Sequence, residues 1–201
     1  MNYFRLLLAP IVLALTLTPA SAEKLSLSAI SDYLNRLKHA QADFTQVNDD
    51  GSVSTGKMYL HRPGRARFEY SPPDENLVMA GGGKVAIFDA KSNQPPEQFP
   101  LSRTPLNLIL ARKVNLGRAK MVVGHTFDET TTSVIAQDPK HPDYGTIEII
   151  FTDNPVALQQ WVITDGSGQK TTVKLGELHT SGSLESTLFN IVYEMEERGL
   201  D

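Results

Sequence analysis

The apolar positions change period once, near the start. In "LSLSAISDYLNRLKHA" (25–40), Ile30, Tyr33, Leu34 and Leu37 recur at i, i+3, i+4 and i+7, with Ser26 or Ser28 placed to cap the start. That spacing predicts an amphipathic helix whose apolar stripe must cover something. From residue 42 the period becomes two. "ADFTQV" (42–47), the polar turn "NDDGS" and "VSTGKMYLHR" (53–62) read as a hairpin, and "ARFEY" (66–70) follows the turn "RPGR". "NLVMA" (76–80) and "KVAIFDA" (84–90) flank "GGG" as a further hairpin. The proline-rich "KSNQPPEQFPLSR" (91–103) is expected to be a surface loop. In "TPLNLILA" (104–111), Thr104 suits an N-cap and Pro105 the first helical position, so a short helix is predicted. Leu106, Leu108, Ile109 and Leu110 make it apolar nearly all round, and it should be covered. Beyond residue 119 the strands return as "AKMVVG", "TTSVIAQ", "GTIEIIF", "LQQWVITD" and "KTTVKLG". "STLFNIVYEM" (186–195) fits a strand or a short helix equally.

Roughly ten strands and two helical segments, joined mostly by short turns, favour one antiparallel sheet, because parallel crossovers would require many more helices. A sheet this wide must curl, and so few helices can cover only one face. The expected fold class is mainly β with helices (α+β), with the helices over the concave side. One strand raises a question. Met58, Leu60 and Arg62 fall on one face of "MYLHR", opposite Tyr59 and His61, so an arginine shares the direction of two apolar neighbours. Either it snorkels to water at the strand end, or it points inward to a partner.

The termini and charge narrow the setting. Arg5, the apolar stretch "LLLAPIVLALTL" (6–17) and Ala20-Ser21-Ala22 before Glu23 form the pattern of a secretory signal peptide over 1–22. The apolar stretch is too short to span a bilayer, which takes about 20 residues. The chain has no cysteine, so a thiol-linked lipid anchor and disulfides are excluded. The expectation is a single exported domain over 23–201, periplasmic and monomeric. Its 18 basic and 23 acidic side chains give a net charge of −5, which argues against nucleic acid as a partner.

No motif supports an enzyme. "GGGKV" (81–85) has Val78 and Val85 where a phosphate-binding loop needs Gly and Ser/Thr. The histidines at 39, 61, 125, 141 and 179 have no metal-ligand spacing, and there is no G-x-S-x-G elbow. Neither cofactor nor metal is expected.

"DFTQV" (43–47), "GKMYLHRPGRARFEYSPP" (56–73), "DENLVMAGGGKVAIFD" (74–89) and "TPLNLIL" (104–110) together resemble the periplasmic lipoprotein carrier family LolA. The specific part is a Gly-x-hydrophobic strand running into Arg-Pro, then an aromatic strand running into Pro-Pro-Asp. The short acidic end "EMEERGLD" departs from well-known carriers. The resemblance implies an unclosed half β-barrel with an apolar concave face under a helical lid. It also implies that acylated lipoproteins are taken from an inner-membrane ABC transporter and passed to an outer-membrane receptor. The arginine of the Arg-Pro motif, here Arg62, would bond to the lid and hold the empty cavity closed. Candidate acyl-chain residues are Phe44, Met58, Leu60, Phe68, Tyr70, Leu77 and Met79, and candidate lid residues are Ile30, Leu34, Leu37, Leu106, Ile109 and Leu110. A carrier of another lipid or glycolipid, or a lipoprotein-sensing regulator on the same half-barrel, would use similar residues.

Overall fold

The computed structural model describes residues 23–118 and 120–200, and the signal peptide expected over 1–22 lies outside them. In chain order the elements are α1 (Leu27–Arg36), β1 (His39–Val47), β2 (Val53–His61), β3 (Arg65–Tyr70), β4 (Leu77–Gly81), β5 (Lys84–Phe88) and β6 (Glu97–Pro100). There follow α2 (Leu106–Leu110), β7 (Val122–Phe127), β8 (Thr131–Gln137), β9 (Thr146–Thr152), β10 (Ala157–Thr164), β11 (Lys170–Leu175) and α3 (Ile191–Glu197). Ser26 caps α1, its side chain accepting from the Ala29 amide at 3.1 Å.

The strands form one antiparallel sheet in the order β6-β5-β4-β3-β2-β1-β11-β10-β9-β8-β7. β6 and β7 are its two edges, so the sheet does not close on itself. It curls strongly. β3 and β10 stand four places apart, about 19 Å along a flat sheet, yet the rings of Phe68 and Trp161 meet across the concave side at 6.1 Å. The connection from β6 to β7 must travel from one edge to the other, and it crosses the mouth of the trough carrying α2. That crossing explains how five helical residues come to lie over a sheet. They could not hold a helix alone.

The main core fills the concave side. Ile30 and Leu34 of α1 with Leu37 just after it, and Leu108, Ile109 and Leu110 of α2, pack onto inward side chains from both halves of the sheet. Gly56 belongs to this face. A Cβ there would come within 2.8 Å of the Phe44 ring and would meet the Glu69 carbonyl oxygen. Gly56→Ala should therefore destabilise the fold by about 1–3 kcal/mol, read as a lower urea midpoint at unchanged m-value.

Two expectations change. Within the expected loop 91–103, Glu97–Pro100 pairs with β5 in the register Lys84↔Pro100 and Val85↔Phe99. Pro100 is tolerated because β6 is an edge strand, where a missing N–H costs no ladder bond. The ambiguous segment near the C-terminus is helical: a short 3-10 turn over Ser186–Phe189 leads into α3. Asn190 decides it, accepting at its side chain from the amides of Val192 and Tyr193.

Candidate functional site: a latched apolar trough

Alternation sets the inward row. The register Ala42↔Met58↔Phe68↔Val78↔Ile87 puts these residues on one face of five successive strands. Phe44 stands over Gly56 and faces Tyr70. Phe44 meets Phe68 edge-on at 5.7 Å and Tyr70 at 5.1 Å, and Phe68 meets Trp161 at 6.1 Å. These are T-shaped pairs of the kind that add to burial. The Tyr70 hydroxyl donates to Gln46 Oε1 at 2.7 Å, and burial pushes its pKa up to about 12. It stays a neutral donor at the rim of an apolar surface.

Of the expected cavity residues, Phe44, Met58, Leu60, Phe68 and Tyr70 share the concave core. Leu77 and Met79 do not, which corrects the expected face of that strand. They lie opposite Glu69 and Arg67 in the register, and side chains paired across a ladder share a face. They form a second cluster on the convex side with Ala86, Phe88 and Ile191. Their inward neighbours are Val78 and Ala80. The expected lid residues Ile30, Leu34, Leu37, Ile109 and Leu110 are buried over the trough, and Leu106 is half-buried beside them.

The far half of the trough was not among the candidates. Val134, Ile149, Trp161 and Val173 continue the inward row across β8, β9, β10 and β11. A bulge between Leu158 and Gln160 lets Leu158 and Trp161 face the same way despite an odd separation. The alternation of Ile147, Ile149 and Phe151 in "TIEIIFT" is a legible signal; the bulge is not.

Arg62 answers the question its strand posed. It follows β2, is 5% exposed, and its guanidinium donates to two carbonyls, Leu37 at 3.3 Å and Ala111. These residues follow α1 and α2 at their C-terminal ends, where unsatisfied carbonyls concentrate negative potential. One side chain thus ties both helices to the sheet. The Arg62 amide adds a bond to Lys38 O at 2.7 Å, and the Gly64 amide one to Leu110 O at 2.9 Å. Burial lowers the Arg62 pKa, and its Nε has no hydrogen-bond partner among the described residues. A buried charge held by carbonyls alone is costly.

The two lid segments are also stapled to each other. Asn35 of α1 donates to Val114 O at 2.8 Å and accepts from Val114 N at 2.9 Å, while Ser31 Oγ accepts from Leu116 N at 3.0 Å. An open groove of about 690 Å³ leads away from the end of α1, lined by Tyr33, Leu37, Val156, Leu158, Leu175 and Leu178, with Arg36 and Lys38 beside it.

The acidic C-terminus has a place on the opposite face. Arg67 Nη1 bonds Glu194 at 2.7 Å, Arg67 Nε bonds Glu69 at 2.6 Å, and Arg198 Nε bonds Glu194 at 2.8 Å. Arg198 also lies 5.2 Å above the Phe88 ring. Burial raises the Glu194 pKa, but the bonds from Arg67 and Arg198 outweigh it and hold the carboxyl below its usual range. A depressed carboxylate contributes stability above its unfolded pKa, and that contribution is lost as the pH falls through the folded one. The docking of α3 should therefore be complete at neutral pH and weaken below about pH 4. Limited proteolysis of the C-terminus at pH 7 and pH 3.5 checks this, and Glu194→Gln should expose the same site at pH 7.

A buried arginine closing two helices over an aromatic-lined open sheet is a distinctive arrangement. The family model described as outer membrane lipoprotein carrier protein LolA matches residues 35–192. The chain belongs to the LolA family. The matched span contains Arg62, every strand of the sheet and the whole crossing segment, and takes in only the end of α1. An outer-membrane lipoprotein carrier protein of Azotobacter vinelandii is 26% identical over 198 residues, covering 94% of each chain. One of Methylococcus capsulatus is 27% identical over 182 residues, covering 85% of each. Among solved structures, a LolA superfamily protein from Nitrosomonas europaea aligns with TM-score 0.42 and 8% identity, over 83% of this chain and 98% of that one.

Proposed function

We propose that this LolA-family chain is a non-enzymatic chaperone that carries acylated lipoproteins through the periplasm. It receives them from an inner-membrane ABC transporter and gives them up to an outer-membrane receptor. The observation that carries this reading is Arg62, a buried guanidinium spanning from Leu37 O to Ala111 O at the end of the strand that brings Met58 and Leu60 to the trough. A C16 acyl chain exposed to water costs about 0.8 kcal/mol per CH₂, roughly 12 kcal/mol in all, and only a sizeable apolar surface offsets that. In the closed structure Ile30, Leu34 and Ile109 occupy the trough and are fully buried. Acyl chains must displace them, so closure and cargo compete for the same surface. A chain held under a lid that can shut again is one that can be released.

Mass spectrometry of the protein purified from its own periplasm tests this reading. Co-purifying acylated polypeptide is expected, together with a mature N-terminus at Glu23. Free lipid or glycolipid as the only ligand would replace lipoprotein with another cargo. A chain that keeps residues 1–22 and fractionates with membranes would overturn the periplasmic role.

A further inference from the structure

The lid helix α1 has one covalently held end and one free end. Leu37 and Lys38 join it directly to β1, beside Arg62. At the other end, once residues 1–22 are removed, only Glu23–Ser26 precede it. Those residues are fastened to the far side of the sheet. The Leu25 amide donates to Thr132 Oγ1 at 2.9 Å, and His125 Nε2 donates to Leu25 O at 2.8 Å. Lys24 Nζ donates to His125 O at 2.7 Å, and the Glu23 nitrogen donates to Asp153 Oδ2 at 3.2 Å. Leu25 and Thr132 are buried, so this contact is part of the core. Residues 23–25 thus tie α1 to β7, β8 and the turn after β9. β8 stands five places from β2 in the sheet, so α1 is held on both sides of the trough.

One of these bonds changes when the chain is processed. In the precursor the Glu23 nitrogen is a neutral amide. Cleavage after Ala22 makes it an α-ammonium, charged at neutral pH, and sets it against the Asp153 carboxylate. Asp153 Oδ2 otherwise accepts only from Asn154 Nδ2, at 3.2 Å, and Asp153 takes part in none of the side-chain ion pairs of the described residues. We propose that Glu23–Leu25 is a second latch of the lid, at the opposite end of α1 from Arg62, and that signal removal completes it by creating the ammonium that pairs with Asp153. This rests on the exported-carrier reading above. Asp153, Thr132 and His125 are then positioning residues: they touch no cargo, but they hold the free end of the helix whose Ile30 and Leu34 fill the empty trough. Weakening them frees α1 to swing about its junction with β1, and cargo gains the surface that α1 gives up.

Amide hydrogen exchange on the full mature chain, prepared to begin at Glu23, tests this without cargo. The Leu25 amide reports the latch itself. The Leu158 amide of β10, which donates to the Tyr33 hydroxyl at 3.1 Å, reports whether the middle of α1 is seated. N-acetylation of Glu23 keeps an N–H but removes the charge. It should lower the protection of Leu25 and Leu158 together, about two- to fivefold, the range of an exposed ion pair. Keeping Ser21 and Ala22 on the chain should do the same. Asp153→Asn should match acetylation, and the two together should do no more than either alone. Thr132→Val, which leaves the Leu25 amide without its acceptor, should lower both protections at least fivefold and tighten a fluorescent fatty-acyl probe by a similar factor. Equal Leu25 protection in the acetylated and parent chains overturns the ion pair. Loss at Leu25 with Leu158 unchanged overturns the latch and leaves only a frayed terminus. Failure of the parent to take up the acyl probe would count against the carrier reading, and the exchange results judge the latch apart from it.

Discussion

Arg62→Leu should yield a protein that loads cargo and fails to hand it over. The guanidinium gives the Leu37 and Ala111 carbonyls charge-assisted bonds, each contributing about 1.5–3 kcal/mol. Leucine removes both and relieves the cost of a buried, partly unpartnered charge. Unfolding stability should therefore change less than the two bonds alone suggest. The balance between the closed empty state and the open loaded state should change more, because only the closed state needs the latch. Each 1.4 kcal/mol taken from closure tightens cargo about tenfold. Arg62→Lys should fall between, since an ammonium keeps the charge without the fork that spans two carbonyls. The check is a two-step assay that follows loading from inner membranes and then transfer to outer membranes. A variant that loads and delivers like the parent would reduce Arg62 to a structural strut.

Phe68→Glu should have the second largest effect. Phe68 sits between Phe44 and Trp161, where side chains from the two halves of the sheet meet. A carboxylate there loses both aromatic pairs, each about 0.5–1.5 kcal/mol beyond burial. It also places a charge on an apolar surface. The fold should lose several degrees in Tm, and affinity for a fatty-acyl probe should fall at least tenfold. Phe68→Leu keeps the surface apolar and should retain uptake within about threefold. If the glutamate variant stays folded and binds the probe normally, the acyl chains do not touch this face.

Much of the architecture was written in the pattern of the chain. The early 3.6 period gave α1, and strict alternation gave the strands and the shared face of Met58, Leu60 and Arg62, while Phe68 entered as a cavity residue with the family resemblance. The family resemblance supplied what alternation could not, a reason for Arg62 to point the same way. In "NLVMA", both Leu77/Met79 and Val78/Ala80 are apolar. Two apolar alternatives leave the inward face unmarked, and the register fixed by β3 decides it. The convex cluster explains why both sets are apolar: α3 covers the back of the sheet there and buries the second set. Nothing local marks the Asn35–Val114 staple or the Arg67–Glu194 pair, whose partners lie 79 and 127 positions apart. Such pairs exist only once the sheet has curled.

Trp161 offers the most direct measurement of the central claim, that acyl chains enter the concave trough. It is the only tryptophan of the chain, is 2% exposed, and lies on the inward face against Phe68. A fatty acid brominated near the middle of its chain quenches an indole only in close contact. Titrating it into the purified protein should quench Trp161 saturably, with no such quenching by the unbrominated acid and much less in Phe68→Glu. Saturable binding of the brominated acid, measured by equilibrium dialysis, with Trp161 emission unchanged would contradict the account.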